Sequence, residues 1–326
     1  MNFYASEHYL DAVAAVYFKG QRARIEDVQI GDEVLRLLVV NDKRVITRHQ
    51  FLDFHQPLLE TETRGATRNG RYAPAVARRV IERTQWDPAQ FPGLELAPYV
   101  DWSQFPEYDD YKAYLLKHHK SLVRDRERRG RSLAAAHGEL VFTMNDTQAD
   151  VFDAAQRWKS RQLRDSGLAD YFAAPHTMEF LEALRSRGQL VASTLRASGQ
   201  LLSLWIGFVH DRTWSGWIFT YDPAFRKYSV GHQLLSFMLS ESHRLGHREF
   251  DFSIGSEDYK MIYATHGRVL GSIGQPPLGQ RLIGYAKDEL RDRTPKLFDA
   301  ARNLKKRIDG TLPTQLVAGQ TGPAKA

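Results

Sequence analysis

The first hundred residues carry the pattern of a β-rich block. Residues 22–30, 33–40 and 44–54 have the apolar and β-branched composition of strands, and short polar turn signals separate them. The pattern predicts a helix over residues 73–83 and a short extended segment over 94–100. A stretch rich in proline and aromatic residues then ends this block.

A long helix is predicted over residues 107–136. Tyr111, Leu115 and Leu122 mark one apolar side of it. Basic residues crowd the remaining surface: Lys117, Lys120, Arg124, Arg126, Arg128, Arg129 and Arg131. We expect this surface either to be solvated or to contact phosphate groups or acidic lipid.

The second block is predicted to begin with a strand and two helices and to continue with three strands in close succession. In chain order these segments are 139–144, 150–165, 178–187, 189–197, 201–209 and 214–220. Turn signals after residues 197 and 210 predict an antiparallel meander. A helix, a strand, a short helix and a strand follow at 232–245, 249–254, 257–264 and 268–273.

Beyond residue 276 the pattern predicts basic helices. Residues 295–308 place apolar side chains at helical spacing, which fits packing against the body or contact with a membrane surface. The tail from Gly310 has the composition of a disordered segment. Four parts are predicted: an N-terminal lobe (1–106), a basic connecting helix (107–137), a C-terminal lobe (138–290), and a basic helix with a disordered tail (291–326).

The composition of the chain favours some classes of ligand and excludes several kinds of site. The 326 residues include 45 Lys and Arg against 39 Asp and Glu, so the net charge is +6, which suits phosphorylated ligands, anionic lipid or nucleic acid. The sequence contains no Cys, which excludes disulfides, thiolate metal sites and a cysteine nucleophile.

The N-terminus lacks the pattern of a signal peptide, and the longest apolar run, 201–209, is too short to span a bilayer. A cytoplasmic protein is predicted, with peripheral contact at the inner membrane as an open option.

The loop that precedes the helix at 232–245 is a candidate anion site. Arg226 and Lys227 supply charge, and Ser229, Gly231 and His232 stand where the helix begins. The free N–H groups of a helix N-terminus bind anions, ideally a diphosphate. An ordinary strand-to-helix loop with exposed cations is the alternative.

A second candidate lies at the end of the following strand. Asp251 or Glu257 could accept a proton from an amine, and the pair Tyr259 and Lys260 could donate a proton or hold an anionic group. The structural alternatives are that the carboxylates cap the next helix or pair with Lys260, and that Lys260 packs over Tyr259.

Two further patterns are not interpreted as sites. His49 and His55 are close in sequence, but no Cys and no carboxylate set completes a metal site around them. Ser253 lacks the first glycine of a nucleophile elbow, which argues against a serine hydrolase.

The element order resembles the GNAT acyltransferase fold, and residues 108–265 resemble its FemAB-like branch, the acetyltransferases associated with bacterial cellulose and exopolysaccharide synthesis. The motifs that carry the resemblance are Arg157-Trp158-Lys159, Tyr221-Asp222-Pro223, Ser229-Val230-Gly231, Asp251-Phe252-Ser253-Ile254-Gly255 and Tyr259-Lys260. Ser229 departs from the family, which usually has glycine there, and Val230 stands where the branch often has proline.

The resemblance implies an α/β fold with two GNAT-like lobes, in which mixed, mostly antiparallel sheets are flanked by helices. It implies that Trp158, Lys159 and Tyr221 contact the acceptor substrate and that Arg226, Lys227, Ser229, Gly231 and His232 bind acyl-CoA as co-substrate. No metal is expected.

The implied activity is acyl-CoA-dependent N-acyl transfer, by direct attack, to an amine of a cell-envelope precursor. The acceptor is an amino sugar of an exopolysaccharide or a long-chain sphingoid-type amine as in bacterial ceramide synthesis. Two alternatives stay open: an aminoacyl-tRNA-dependent FemAB-type transferase, and a non-catalytic GNAT-like binding module. Nucleic acid is not the expected partner.

Overall fold

The computed structural model describes residues 2–30, 33–46, 51, 73–91, 94–273 and 317–318. The chain divides into two compact units, the first formed by Met1–Arg79, Leu163–Leu184 and Leu270–Ala326 and the second by Val80–Gln162 and Arg185–Val269. The four-part division at residues 106, 137 and 290 stays a prediction.

The helices of the described chain are α1 (Glu7–Tyr17), α2 (Tyr108–His137), α3 (Asp150–Asp165), α4 (Pro175–Arg185), α5 (Val230–Arg244) and α6 (Asp258–Tyr263). Its strands are β1 (Ala23–Ile30), β2 (Glu33–Val40), β3 (Lys43–Ile46), β4 (Ala73–Glu82), β5 (Glu95–Asp101), β6 (Leu140–Thr143), β7 (Val191–Ala197), β8 (Gln200–His210), β9 (Thr213–Tyr221), β10 (Glu249–Asp251), β11 (His266–Ile273) and β12 (Val317–Ala318).

The first unit contains a four-stranded sheet in the order β1-β2-β3-β12. Helix α1 begins after Ser6, whose hydroxyl oxygen accepts from the N–H of Tyr9 at 3.2 Å. The Tyr9 ring is buried, and its hydroxyl donates to the carbonyl oxygen of Phe51 at 3.1 Å. Helix α1 has no counterpart among the predicted elements.

An eight-stranded sheet in the order β4-β11-β5-β10-β9-β8-β7-β6 supplies the strands of the second unit, except that residues 73–79 of β4 and 270–273 of β11 are counted with the first. The predicted meander is confirmed, because β7, β8 and β9 pair in antiparallel fashion. The β8–β9 turn is tight: Asp211 and Arg212 both adopt positive φ, 47° and 59°, as a two-residue hairpin requires. Strand β10 lies parallel to β9, so the sheet is mixed and mostly antiparallel.

Large aromatic side chains fill the core on one face of this sheet. Trp205, Trp214 and Phe250 are buried with Leu234 of α5 and Tyr111 of α2. Because side chains alternate along a strand, Asp251, next to Phe250, faces the opposite side of the sheet. The two helices thus cover the face that carries the aromatic core.

One prediction of local structure is wrong. Residues 73–82 form strand β4 rather than a helix; β-branched Val80 and Ile81 favour the strand, and pairing within the sheet decides it. In the tail predicted to be disordered, Val317–Ala318 pair with β3. The predicted helix at 295–308 lies outside the described residues.

Candidate active site

Strands β9 and β10 separate after a short stretch of pairing. They pair only where Glu249–Asp251 meets residues 213–215. Beyond Asp251 the chain follows β5 instead, because the N–H of Phe252 donates to Pro98 at 3.0 Å and that of Gly255 to Leu96 at 2.8 Å. Residues 217–221 of β9 therefore have an open edge, and no other described strand pairs with it.

A β-bulge in β9 sits where the strands separate. Ile206 pairs with Ile218 but Gly207 with Gly216, so Trp217 is one extra residue on β9. A side chain at Gly216 would collide with the Trp205 indole ring. The glycine and the buried ring thus hold the bulge in place.

Carbonyl and N–H groups of Phe219 and Tyr221 point to the open edge. The N–H of Asp222 donates to the carbonyl of Leu202 at 2.9 Å, which makes these two residues a hydrogen-bonded pair of the β8–β9 ladder. Phe219 and Tyr221 occupy the alternate, non-hydrogen-bonded positions, so their backbone groups face away from β8.

The candidate anion loop forms a 3-10 turn, Pro223–Tyr228, before α5. Ser229 adopts the left-handed conformation, φ 55° and ψ 44°, which glycine adopts without strain. This explains the glycine preference of the family at that position. The N–H groups of Val230 and Gly231 have no acceptor among the described residues. The carbonyl oxygen of Ser229 accepts the N–H groups of His232 and Gln233 instead. The first turn of α5 thus keeps two free donors.

The other predicted loop residues have different environments. Arg226 and Lys227 are exposed, and the Lys227 ammonium lies 4.8 Å from the centre of the Tyr228 ring. Gly231 is buried, and a Cβ there would lie 3.0 Å from Phe219 Cζ and 3.5 Å from a ring carbon of Tyr221. Gly231 therefore permits α5 to pack closely on β9.

Helix α2 packs against this loop through two residues that sequence reasoning placed on a basic surface. Arg129 donates to the carbonyl of Lys227 at 2.7 Å. Arg126 is only 8% exposed, and its guanidinium donates to the Tyr263 hydroxyl at 2.8 Å. Its second terminal nitrogen lies 3.2 Å from Nε2 of His232. No carboxylate in the described chain forms an ion pair with Arg126.

His232 is a neutral imidazole at this junction. Burial, and then the charge of Arg126, lower the pKa of His232 to about 4. Because a guanidinium only donates, Nε2 must carry the lone pair, and Nδ1–H then faces the Tyr263 oxygen at 3.4 Å. Arg126 and Tyr263 were not among the predicted site residues, since nothing in the sequence distinguishes Arg126 from its basic neighbours.

Asp251 is buried where β10 leaves β9. Its Oδ1 accepts from the N–H of Ser253 at 2.9 Å and its Oδ2 from the Ser215 hydroxyl at 3.2 Å. Burial raises the pKa of Asp251, and the nearby charge of Arg268 opposes that shift in part. Arg268 itself pairs with Glu249. The Asp251 carboxyl is therefore held inside the sheet, where burial opposes its ionisation.

Tyr259 and Lys260 have separate surroundings. The half-buried Tyr259 ring packs against Phe219 with centroids 5.3 Å apart, and burial raises the pKa of its hydroxyl. Lys260 is buried, with its ammonium 2.9 Å from a carboxylate oxygen of exposed Glu257 and 2.5 Å from the carbonyl of Ile254. Tyr259 thus lies at the open edge, while Lys260 and Glu257 fix the loop before α6.

Of the residues predicted to contact the acceptor, Lys159 reaches the open edge. Its ammonium donates to the Phe219 carbonyl at 3.3 Å and to Oε1 of Gln162 at 3.4 Å. Burial lowers the pKa of Lys159 to about 8. Trp158 is half-buried on the same helix, and Tyr221 packs against an apolar cluster at the end of β9.

The described residues give no sign of a metal site or of a membrane-spanning helix. They contain no group of three or more His, Cys, Asp or Glu side chains suited to hold a metal ion. No helix in that part of the chain combines the length and the apolar character needed to cross a membrane. His49 and His55 lie outside the described residues.

Comparisons with known proteins agree with this architecture. Residues 121–261 match the family model described as an acetyltransferase (GNAT) domain. No curated protein matches the sequence significantly.

Three solved structures are similar at low identity. FemX is 10% identical, with 83% of this chain and 91% of that chain covered and a TM-score of 0.47. A conserved protein of unknown function from Bacteroides thetaiotaomicron is also 10% identical, with the same two coverages and a TM-score of 0.43. A tandem GNAT protein from the clavulanic acid biosynthesis pathway is 12% identical, with 84% of this chain and 97% of that chain covered and a TM-score of 0.35. The segment that carries the open edge, residues 121–261, is thus similar to the acetyltransferase (GNAT) domain family, and its mixed, mostly antiparallel sheet flanked by helices is GNAT-like.

Proposed function

We propose that this protein is an N-acyltransferase that moves an acyl group from acyl-CoA to an amine of a cell-envelope precursor. The observation that carries the proposal is the open edge of β9 beside the free N–H donors of Val230 and Gly231. An extended chain with amide groups pairs with such an edge as an added strand does. A diphosphate suits the positive end of α5.

The chemistry requires a proton acceptor for the amine and a proton donor for the departing thiolate. Tyr259 lies at the open edge with a raised pKa, so it stays protonated and suits the donor role. Asp251 or Glu257 takes the role of proton acceptor. Asp251 stands where the strands separate, whereas the Glu257 carboxylate is exposed and paired with Lys260.

The acceptor class rests on the family resemblance and on charge. An amino sugar of an exopolysaccharide and a long-chain sphingoid-type amine both fit it. The exposed basic residues of α2 suit an anionic precursor or the surface of an anionic membrane: Lys117, Lys120, Arg124, Arg128 and Arg131.

Transfer from an aminoacyl-tRNA is the second candidate. It is favoured by the packing of basic helix α2 beside the loop, where Arg129 contacts the carbonyl of Lys227. A nucleic acid lying along the exposed basic residues of α2 would reach the first turn of α5. Such binding weakens steeply with salt because phosphate contacts release counterions.

Calorimetry with CoA tests whether the loop that carries Arg226 and Lys227 binds the donor. Replacing both Arg226 and Lys227 by Ala should weaken binding by about 2 kcal/mol, roughly 30-fold, since hydrogen bonds to charged groups are worth about 1.5–3 kcal/mol each. Both side chains are exposed, so the fold should survive. The matched control, Lys117→Ala with Lys120→Ala, removes the same charge from an exposed part of α2.

An unchanged dissociation constant in the loop variant would remove the loop from the donor site. Ribonuclease-treated protein should still acylate an amine when it is given acyl-CoA. Complete loss of transfer after that treatment favours the tRNA candidate, and CoA binding without any transfer favours a non-catalytic module.

A further inference from the structure

Two lysines near the open edge differ in their partners. Lys260 has a carboxylate of Glu257 at 2.9 Å and the carbonyl of Ile254 at 2.5 Å. Among the residues that the structure describes, Lys159 donates only to neutral oxygens, those of Phe219 and Gln162, at 3.3 and 3.4 Å. Within the described chain no carboxylate forms an ion pair with Lys159. Its ammonium is therefore half-buried without a bonded counter-charge, a costly arrangement.

Such an amine loses its proton readily. Burial lowers the pKa of Lys159 to about 8; nearby Lys260 adds to the effect and Glu257 opposes it. At pH 8 a far larger share of the Lys159 side chains is then neutral than the roughly one in 300 of an ordinary lysine. A neutral amine has a free lone pair and acts as a nucleophile.

The position of Lys159 is set by the edge itself. A donor seated along β9 needs the Phe219 carbonyl as an acceptor, and the Lys159 ammonium already donates to that oxygen. A donor that pairs with β9 in this way would meet Lys159 at that oxygen. No other lysine of the described chain donates to the backbone of residues 217–221.

We propose that Lys159 is a self-acylation site, at which the protein transfers an acyl group from a bound thioester to its own Nζ. This inference rests on the proposed function. Nζ attacks the thioester carbonyl, the new C–N bond forms, the C–S bond breaks, and one Nζ proton passes to the thiolate. The products are a free thiol and a neutral amide at the open edge.

Mass spectrometry of the intact chain after incubation with acetyl-CoA at pH 8, followed by digestion, tests the transfer. Acetylation at Lys159 should exceed that at exposed Lys227 and at buried Lys260 by at least tenfold. Heat-denatured chain treated in the same way measures the chemical background. Lys159→Arg should lose the modification, whereas Lys117→Arg, at an exposed position of α2, should keep it.

A second experiment does not depend on whether the protein binds acyl-CoA. Competitive labelling with acetic anhydride across a pH series reports when each lysine becomes neutral. Lys159 should reach half of its full reactivity near pH 8, well below the midpoint of an ordinary lysine. Glu257→Gln should lower that midpoint further, because the variant removes the charge that stabilises the ammonium.

The outcomes separate this inference from the proposed function. CoA binding without acetylation of Lys159 above background overturns the self-acylation site and leaves the donor site intact. No CoA binding overturns both. A labelling midpoint for Lys159 equal to that of Lys227 removes the chemical basis of the inference, whatever calorimetry shows.

Discussion

The guanidinium of Arg126 donates to the hydroxyl oxygen of Tyr263 at 2.8 Å and so joins α2 to α6. The charge also lies 5.1 Å from the centre of the Tyr263 ring, a cation–π distance. Removing a charge from water costs several kcal/mol, and no carboxylate in the described part of the chain is bonded to Arg126 to compensate. Arg126 therefore places a buried positive charge against His232, in the first turn of α5.

Replacing Arg126 by Met should raise the pKa of His232. The arginine charge is the second cause of the low pKa, after burial, so the shift should be partial and not restore the ordinary value. Histidine NMR titration measures it. Arg124→Met, which changes an exposed residue on the same helix, should leave the His232 titration unchanged, and an equal response in both variants would contradict the assignment.

His232 should also make the folded state sensitive to acid. Its folded pKa of about 4 lies below the ordinary 6.5, so the folded state resists protonation and loses stability as the pH falls through that window. The full shift corresponds to about 3 kcal/mol. Urea unfolding at a series of pH values should show this loss in the wild type.

His232→Gln should flatten that part of the stability profile, while His118→Gln, at an exposed position, should not. If the two variants gave the same slope between about pH 4 and 6.5, the buried neutral imidazole would be ruled out as its source.

Local signals account for the parts of the fold that sequence predicted well. The meander follows from two-residue turns such as Ser198-Gly199, where both residues adopt positive φ, and from strands whose apolar runs end at those turns. Helix α5 follows from Leu234, Leu235, Met238 and Leu239, which all lie in the core at helical spacing.

Features set by distant partners were not predictable. Strand β4 has alanines that favour a helix, and its state is decided by pairing within a sheet. The burial of Arg126 depends on Tyr263, which is 137 positions away in the chain.

Asp251→Asn should change the pH dependence of stability. A folded pKa raised above 3.8 means that the stability contributed by Asp251 is complete below pH 3.8 and is lost as the pH rises to the folded value. The variant stays neutral and should escape this loss. Its stability relative to the wild type should therefore be lowest near pH 4 and should increase toward neutral pH.

Turnover gives the second measurement for Asp251. If its carboxylate accepts the amine proton, Asp251→Asn should lower kcat by about 10²–10⁴-fold with little change in CoA affinity. Asp153→Asn, at an exposed position of α3, is the matched control for both measurements. Near-normal kcat in a folded Asp251 variant would contradict this assignment and indicate Glu257 as the proton acceptor.

Gly231→Ala separates packing from ligand binding in the first turn of α5. The new methyl group would lie 3.0 Å from Phe219 Cζ, and crowding of this kind costs about 1–3 kcal/mol, which outweighs a helix-propensity gain of about 1 kcal/mol or less. We expect net destabilisation in urea unfolding. Phe219→Leu in the same chain should relieve part of it.

Gly130→Ala is the matched control, because its new methyl group would meet only the flexible end of the Gln233 side chain, 2.6 Å from Oε1. That side chain can rotate away, at the expense of its bond to the Arg126 carbonyl. A Gly231 variant of full stability that no longer binds CoA would show the opposite of our expectation, namely that this glycine serves the approach of a diphosphate and not the packing of α5 on β9.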